Sequence, residues 1–431
     1  DNKTGIWEDA DKSKKIIKIE NKNSKLVEVF VKKNKSFNEE KNVSSKSIVE
    51  IDQIFENTTN KNNYYDPPNN IANVQYWNKK NILIKSSKLS KSKEKSQFIF
   101  YNNGILSHDQ KGRIYLYSLS NKKKVLEFNF YKKKFKKYKK KIYLKIHKNQ
   151  IIAADNLGYL YSLDIVTGKL IWAINYGIPF RSNLKIIDNQ LILANQDNII
   201  YSVDVKTGKS IWQFATSQSK LKNNFLNTIV IDKINSSIIF FNTSGELYSI
   251  NYKNQKINWV LNFKASSQDS FSDLFNSSPL VTHSNNILIS TNNSLYNYNN
   301  INGSKNWESP IALDIKPVIT KNNIFLVSKT NYLICLSVAN GDVIWSKNIG
   351  NAIKDLKNKK NKRIGQIKNI TLADYNILLF TSGGYLLNFD YKNGKIKSSE
   401  KIMKSGISSD PLFLNGYFYI FDNKNRLIKY E

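Results

Sequence analysis

Residues 159–172 read Y-L-Y-S-L-D-I-V-T-G-K-L-I-W, and 40 residues later residues 199–212 read I-I-Y-S-V-D-V-K-T-G-K-S-I-W. Each copy is an alternating apolar and polar segment ending in Asp164 or Asp204, a tight turn closed by Thr-Gly, and a second segment carrying Trp172 or Trp212. A repeat this regular constrains the fold before any other argument. The alternation puts Tyr159, Tyr161 and Leu163 on one face of a strand and Leu160 and Ser162 on the other. Gly168 and Gly208 permit the positive φ that a tight hairpin turn requires. The tryptophan four residues on then sits at a fixed place on the next strand. From there its indole can cover the following repeat, and its N–H needs a partner if buried.

Alignment on that tryptophan finds the rest of the array. Gly303 precedes Trp307 by four residues and Gly341 precedes Trp345 by four. Asn302-Gly303, Asn340-Gly341 and Asn393-Gly394 are strong hairpin turns. Trp259 has Gln255 where the glycine should be, Phe128 stands for Trp with Lys124 at the glycine position, and Ser398 takes the Trp position after Gly394. The anchors are spaced by 38 to 53 residues, which fits four-stranded propeller blades of about 40–45 residues each. The last strands, 416–422 and 426–430, stop where a Trp strand should come. Closing a ring removes exposed sheet edges, so the segment around Trp77 is expected to complete the last blade. The expectation is an all-β, eight-bladed β-propeller of four-stranded antiparallel blades over residues 71–431, closed by an N-terminal strand. Residues 1–70 carry no repeat and read as a partly mobile extension wrapped on the ring.

The formal charge is +32, from 66 basic and 34 acidic side chains. The excess is nearly all lysine in a chain saturated with Asn, Lys and Ile, the residues of AT-rich codons. Scattered lysines without guanidinium forks read bases poorly, so no nucleic-acid partner is expected. Residues 131–141, Y-K-K-K-F-K-K-Y-K-K-K, form the densest cluster. One reading is a patch for phosphate-bearing partners such as anionic lipid head groups; the plainer one is a solvated loop whose lysines block strand pairing. A second basic stretch, 354–368, falls in the longest interval and reads as an enlarged loop. The single cysteine, Cys335, lies in a strand and reads as a small buried hydrophobe, with no intramolecular disulfide possible. No run approaches the roughly eighteen apolar residues of a membrane span. The chain begins at Asp1 without a Met or signal-like segment, which suggests a processed or trimmed N-terminus.

Chemistry-bearing constellations are sparse. His108, His147 and His283 lie in different repeats at unrelated positions and read as surface or loop residues, since a metal or catalytic site needs them to converge with carboxylates or thiols. There is no Gly-rich phosphate cradle, H-E-x-x-H or nucleophile elbow. Asp155, Asp164, Asp204 and Asp390 recur by repeat, as structural turns do. The tryptophans, one per blade on outer strands, form a girdle and cannot meet as an aromatic cage. No catalytic residue, metal ligand or cofactor is therefore assigned.

The pattern L-D-x-x-T-G-x-x-x-W, here Leu163, Asp164, Thr167, Gly168 and Trp172, resembles the quinoprotein-type (PQQ-like) propeller repeat. Length, blade count and the placing of Trp77 before the first blade are similar to the BamB family of outer-membrane assembly lipoproteins, in its alphaproteobacterial form. That resemblance implies a non-catalytic scaffold at the periplasmic face of the outer membrane, held by an N-terminal lipid on a Cys preceding Asp1. It implies partners too: the POTRA domains of BamA and other subunits of the β-barrel assembly machinery. Partner binding in that family uses an Arg in the loop after a Trp strand and acidic residues of a neighbouring loop. Arg181, in Phe180-Arg181-Ser182, matches the first, and Asp273 resembles the second, with Phe275 near the place of the family's other acidic residue. A quinoprotein dehydrogenase with pyrroloquinoline quinone and calcium at the propeller axis is the alternative from another class. The single Cys335 cannot form the vicinal disulfide typical of those enzymes. A further alternative is another periplasmic protein-binding propeller; the Gly-His and Trp-Asp markers of WD40 repeats are absent.

Overall fold

The computed structural model describes residues 26–28, 37–58, 69–90, 98–218, 226, 228–263, 279–291, 293–356 and 364–431. Eight sheets follow one another around a ring, seven of them meanders of four consecutive antiparallel strands. Blade two shows the pattern: Ile142–His147, Gln150–Asp155, Tyr159–Asp164 and Leu170–Asn175. First strands of neighbouring blades touch, so they line the axis, and the fourth strands form the rim. The second and third strands are buried on both faces, which is why they read as apolar runs. The rim strand Leu170–Asn175 alternates exposed and half-buried positions. The hydrophobic core is accordingly divided into clusters lying between adjacent blades.

The repeat works as an interblade clasp. A Cβ built on Gly208 of blade three would fall 2.4 Å from Trp172 of blade two. Gly303, Gly341 and Gly394 are covered in the same way by Trp259, Trp307 and Trp345 of the preceding blades. Each of those turn glycines has φ between +70° and +74°, a region that side chains other than Gly rarely enter. The indole N–H groups donate into the turns they cover: Trp172 to Val205 O at 3.0 Å, Trp307 to Val338 O at 2.7 Å and Trp345 to Tyr391 O at 3.2 Å. Gln255 fills the missing glycine's place with φ 57°. Trp212 is half-buried in the cluster between blades three and four.

Three sequence expectations need correction. In blade one the register shift that precedes each tryptophan position falls between Leu116 and Tyr117, so Leu126 occupies the Trp place, not Phe128. Lys122, with φ 51°, replaces Lys124 as the turn residue, and Leu126 covers Gly168. A two-residue slip keeps every side chain on its own face, so the alternation could not reveal it. In blade eight an N-terminal strand does close the ring, but it is Ile82–Lys85, paired antiparallel with Leu427–Tyr430. Ile84 follows the register shift as Trp172 does. Trp77 instead lies over Gly416 in the first hairpin turn of that blade and donates to Asn415 O at 3.0 Å. Finally, His108 is buried rather than a surface residue; His147 and His283 are half-buried.

The N-terminal part of the chain is built into the ring. Residues 26–28 add a parallel strand to the rim of blade four. Lys41 bridges to Ser346 on the rim of blade six, and Asp52 accepts from the Lys321 N–H in that blade's first hairpin turn at 3.0 Å. The chain then lines the axis from Asn69 to Trp77. Asn69 donates to Ile229 O at 3.2 Å and Leu280 O at 3.1 Å and accepts from the buried Lys185 ammonium at 2.6 Å. Asn70 exchanges two hydrogen bonds with Ile319, Val74 pairs with Leu372 and Asp374, and Trp77 N–H donates to Gly416 O. One strap thus ties blades three to eight together from the inside.

Candidate functional site

In an antiparallel meander the second-to-third strand turns and the blade-to-blade connectors share one end of the strands. That end carries Arg181, the sequence-picked contact residue that the structure describes. Arg181 lies in the connector from blade two to blade three, half-exposed, between side chains that fix it. Phe180 beside it is 1% exposed and meets Tyr176 and Tyr201 edge-on at 5.5 and 6.2 Å. Phe180 N–H donates to Asp155 O at 2.9 Å, Arg181 N–H to Ala194 O at 3.0 Å, and Ser182 Oγ accepts from Ala194 N–H at 2.7 Å. The guanidinium is thereby carried on backbone pinned to two blades, the kind of placing on which loop recognition depends. Asp273, in the connector from blade four to blade five, lies outside the described residues.

The recurring aspartates are turn caps. Asp155 Oδ1 accepts from the Leu157 and Tyr159 N–H groups, both at 2.8 Å. Asn195, Asn242, Asp109 and Asp422 hold the equivalent turns in the same way, one Oδ1 accepting from two backbone N–H groups. Burial pushes the Asp155 carboxyl above its usual range, against the hydrogen bonds it accepts, the first of them from Tyr131. Asp164 caps the third-to-fourth strand turn through Thr167, whose N–H and hydroxyl hold its carboxyl below the usual range. Asp204 and Thr207 repeat that arrangement. Such symmetry is what turn geometry produces, whereas an active site would break it. Cys335 is fully buried, and that burial raises its thiol pKa.

The lysine-rich connector from blade one to blade two is on the same end of the ring. Phe130 stacks on Tyr161 at 4.5 Å, and Tyr131 Oη donates to Asp155 Oδ2 at 2.5 Å. Phe135 meets Tyr159 edge-on at 5.7 Å. Lys140 is buried, its ammonium donating to Phe135 O. Tyr131 and Phe135 of the cluster are thus packing residues, whereas Tyr138 is exposed. Asp155 anchors both this connector and the Arg181 connector, so the two flank a single turn.

At the axis, on this same end, a cavity of about 860 Å³ is lined by residues that include Lys316, Lys329, Lys368, Asp314 and Asp410. Lys329 pairs with Asp314 at 3.5 Å, and Asp410 accepts from Asn369 at 3.4 Å. Among the described residues no group of three or more His, Cys, Asp or Glu side chains is placed to hold a metal ion, and no helix is long and apolar enough to cross a membrane.

A family model described as outer membrane protein assembly factor BamB matches residues 139–347, from the lysine-rich connector through the rim strand of blade six. No curated protein sequence matches this chain. Among solved structures, the chain is similar to BamB from Moraxella catarrhalis, with a TM-score of 0.64, 11% identity, and cover of 81% of this chain and 100% of that one. It is also similar to the computationally designed Ika8 protein, with a TM-score of 0.60, 10% identity, and cover of 81% and 99%. At these identities the likeness is one of fold, and a fold does not by itself assign a function. Repeat, clasp and ring closure make the chain an eight-bladed β-propeller of PQQ-like repeats, and over residues 139–347 it is similar to the BamB family.

Proposed function

We propose that this propeller is a non-catalytic scaffold subunit of the outer-membrane β-barrel assembly machinery, lipid-anchored at the periplasmic face of the outer membrane, and that it binds the POTRA domains of BamA. The observation that carries the reading is Arg181, half-exposed on a connector clamped to two blades by Phe180 and Ser182. An arginine on pre-organised backbone loses little entropy on docking and suits the anchor of an interface. Asp273, on another blade-to-blade connector, is the second proposed contact.

The strap at the axis supports this reading over a quinoprotein dehydrogenase. Those enzymes bind their cofactor and calcium on the axis, and here Asn69 to Trp77 of the same chain hydrogen-bond along it. The carboxylates beside it, Asp314 and Asp410, sit on separate connectors among lysines and are already engaged, a poor match to the six to eight oxygen ligands calcium takes.

The test is a binding titration of the purified chain with the POTRA domains of the same organism's BamA, with pyrroloquinoline quinone plus calcium in parallel. POTRA binding that weakens at least about tenfold in Arg181→Glu, with an unshifted melting transition, is the expected result. Unchanged affinity in Arg181→Glu removes that residue from the interface. Stoichiometric quinone binding without POTRA affinity moves function to the axis.

A further inference from the structure

We infer that the connector from blade one to blade two is a docking surface for an anionic lipid bilayer. Residues 130–141 contain no carboxylate and eight lysines. The fold sorts these. Lys140 is turned inward over the Tyr131 ring, while Lys132, Lys133, Lys136, Lys137 and Lys139 are exposed around Tyr138, itself 58% exposed. The backbone beneath them is held at many points. The Phe130 stack on Tyr161 and the Tyr131 bond to Asp155 fix one end. Asn156 fixes the other, accepting from Lys141 N–H at 2.8 Å and donating to Lys139 O at 3.0 Å. The turn at Lys133–Phe135 lies between them.

A charge run on a slack loop is a solvated tether; this one is anchored at both ends with five of its lysines exposed. Its composition selects the partner. Lysine ammonium groups are point charges without the planar fork that recognises one carboxylate in one orientation. Five of them around an exposed phenol suit a surface of many equivalent phosphates, where the aromatic ring settles at the headgroup level. An acidic protein surface, with sparse and fixed charges, would use such a set less fully. The inference deepens the proposed placement at the outer membrane and sets the lipid contact one connector from Arg181, on the same end of the ring.

The experiment is co-sedimentation of the full chain with vesicles of phosphatidylcholine alone or with about a third phosphatidylglycerol, at low and high salt. Two variants are compared. One changes Lys132, Lys133, Lys136, Lys137 and Lys139 to Gln; the other changes Lys206, Lys209, Lys233, Lys253 and Lys392 to Gln, five exposed lysines at the opposite turns. The expected result is salt-sensitive binding to anionic vesicles only, lost by about tenfold or more in the first variant and retained in the second. Failure of the wild-type chain to bind at low salt overturns the inference, as does equal loss in both variants, which would make total charge the cause. Loss of POTRA affinity in the first variant without vesicle binding by the wild type would reassign the connector to a protein partner. Vesicle binding involves no POTRA domain, so its failure and failure of the scaffold reading are read separately.

Discussion

The interblade clasp predicts unequal costs for the same substitution in two copies of one turn. Gly168 and Gly208 close equivalent turns with φ +70° and +73°. Alanine at either must adopt a left-handed conformation, at roughly 1–2 kcal/mol. Beyond that the two differ. At Gly168 the new Cβ meets Leu126 at 3.5 Å, an ordinary contact, whereas at Gly208 it meets the Trp172 ring at 2.4 and 2.6 Å. The indole must move, and its N–H is tied to Val205 O at 3.0 Å, so overpacking adds about 1–3 kcal/mol. Gly168→Ala should therefore cost about 1–2 kcal/mol and Gly208→Ala about 2–5 kcal/mol. Chemical denaturation followed by far-ultraviolet circular dichroism measures both without relying on tryptophan signal. A Trp172→Leu background, which copies the natural Leu126 arrangement, should bring the Gly208→Ala cost down to that of Gly168→Ala. Equal costs in the wild-type background would refute the clasp and leave backbone conformation as the whole reason for the glycine.

Asp155→Asn should leave stability within about 1 kcal/mol, because Asn195 and Asn242 cap equivalent turns, while Asp155→Ala should cost about 1–3 kcal/mol from two uncapped N–H groups and the lost Tyr131 hydrogen bond; equal losses in a denaturation series would remove the capping role. Burial pushes the His108 pKa down to about 4 from 6.5. The unfolded chain then binds the proton first, so stability is complete above the unfolded value and is lost as pH falls from about 6.5 toward 4, by up to roughly 3 kcal/mol. His108→Gln should flatten that window in a pH series of melts, and an unchanged slope there would show that other groups set it. Asn69→Ala removes the acceptor of the Lys185 ammonium and two donors across blades four and five. It should cost about 2–3 kcal/mol, and a loss below about 0.5 kcal/mol would show that the axial strap does not bear on the ring.

The candidate site was legible only in part. Arg181 was singled out by the family resemblance, as an arginine in the loop that follows the Trp172 strand. Its clamping by Phe180, Asp155 and Ala194 joins residues from two blades, and no local pattern encodes that. The lysine run was visible as charge, but its display on anchored backbone depends on Asp155, Tyr161 and Asn156 of the next blade. His108 was misread because burial at the end of a strand depends on what the neighbouring connector covers.

By itself the sequence determined the repeating unit: strands of period two, Asp or Asn turn caps, a glycine that can take positive φ, and a tryptophan to cover the next such glycine. These are local requirements, met within about 15 residues of one another, and repetition with ring closure then sets eight blades. Tertiary structure decided the rest. Pairing with Leu427–Tyr430 selected Ile84 over Trp77 as the closing residue. A two-residue slip, invisible to alternation, chose Leu126 over Phe128. The polar Asn69-Asn70 pair, which reads as a turn signal, became the inner strap because the first strands present backbone groups at the axis that only a long-range partner can satisfy.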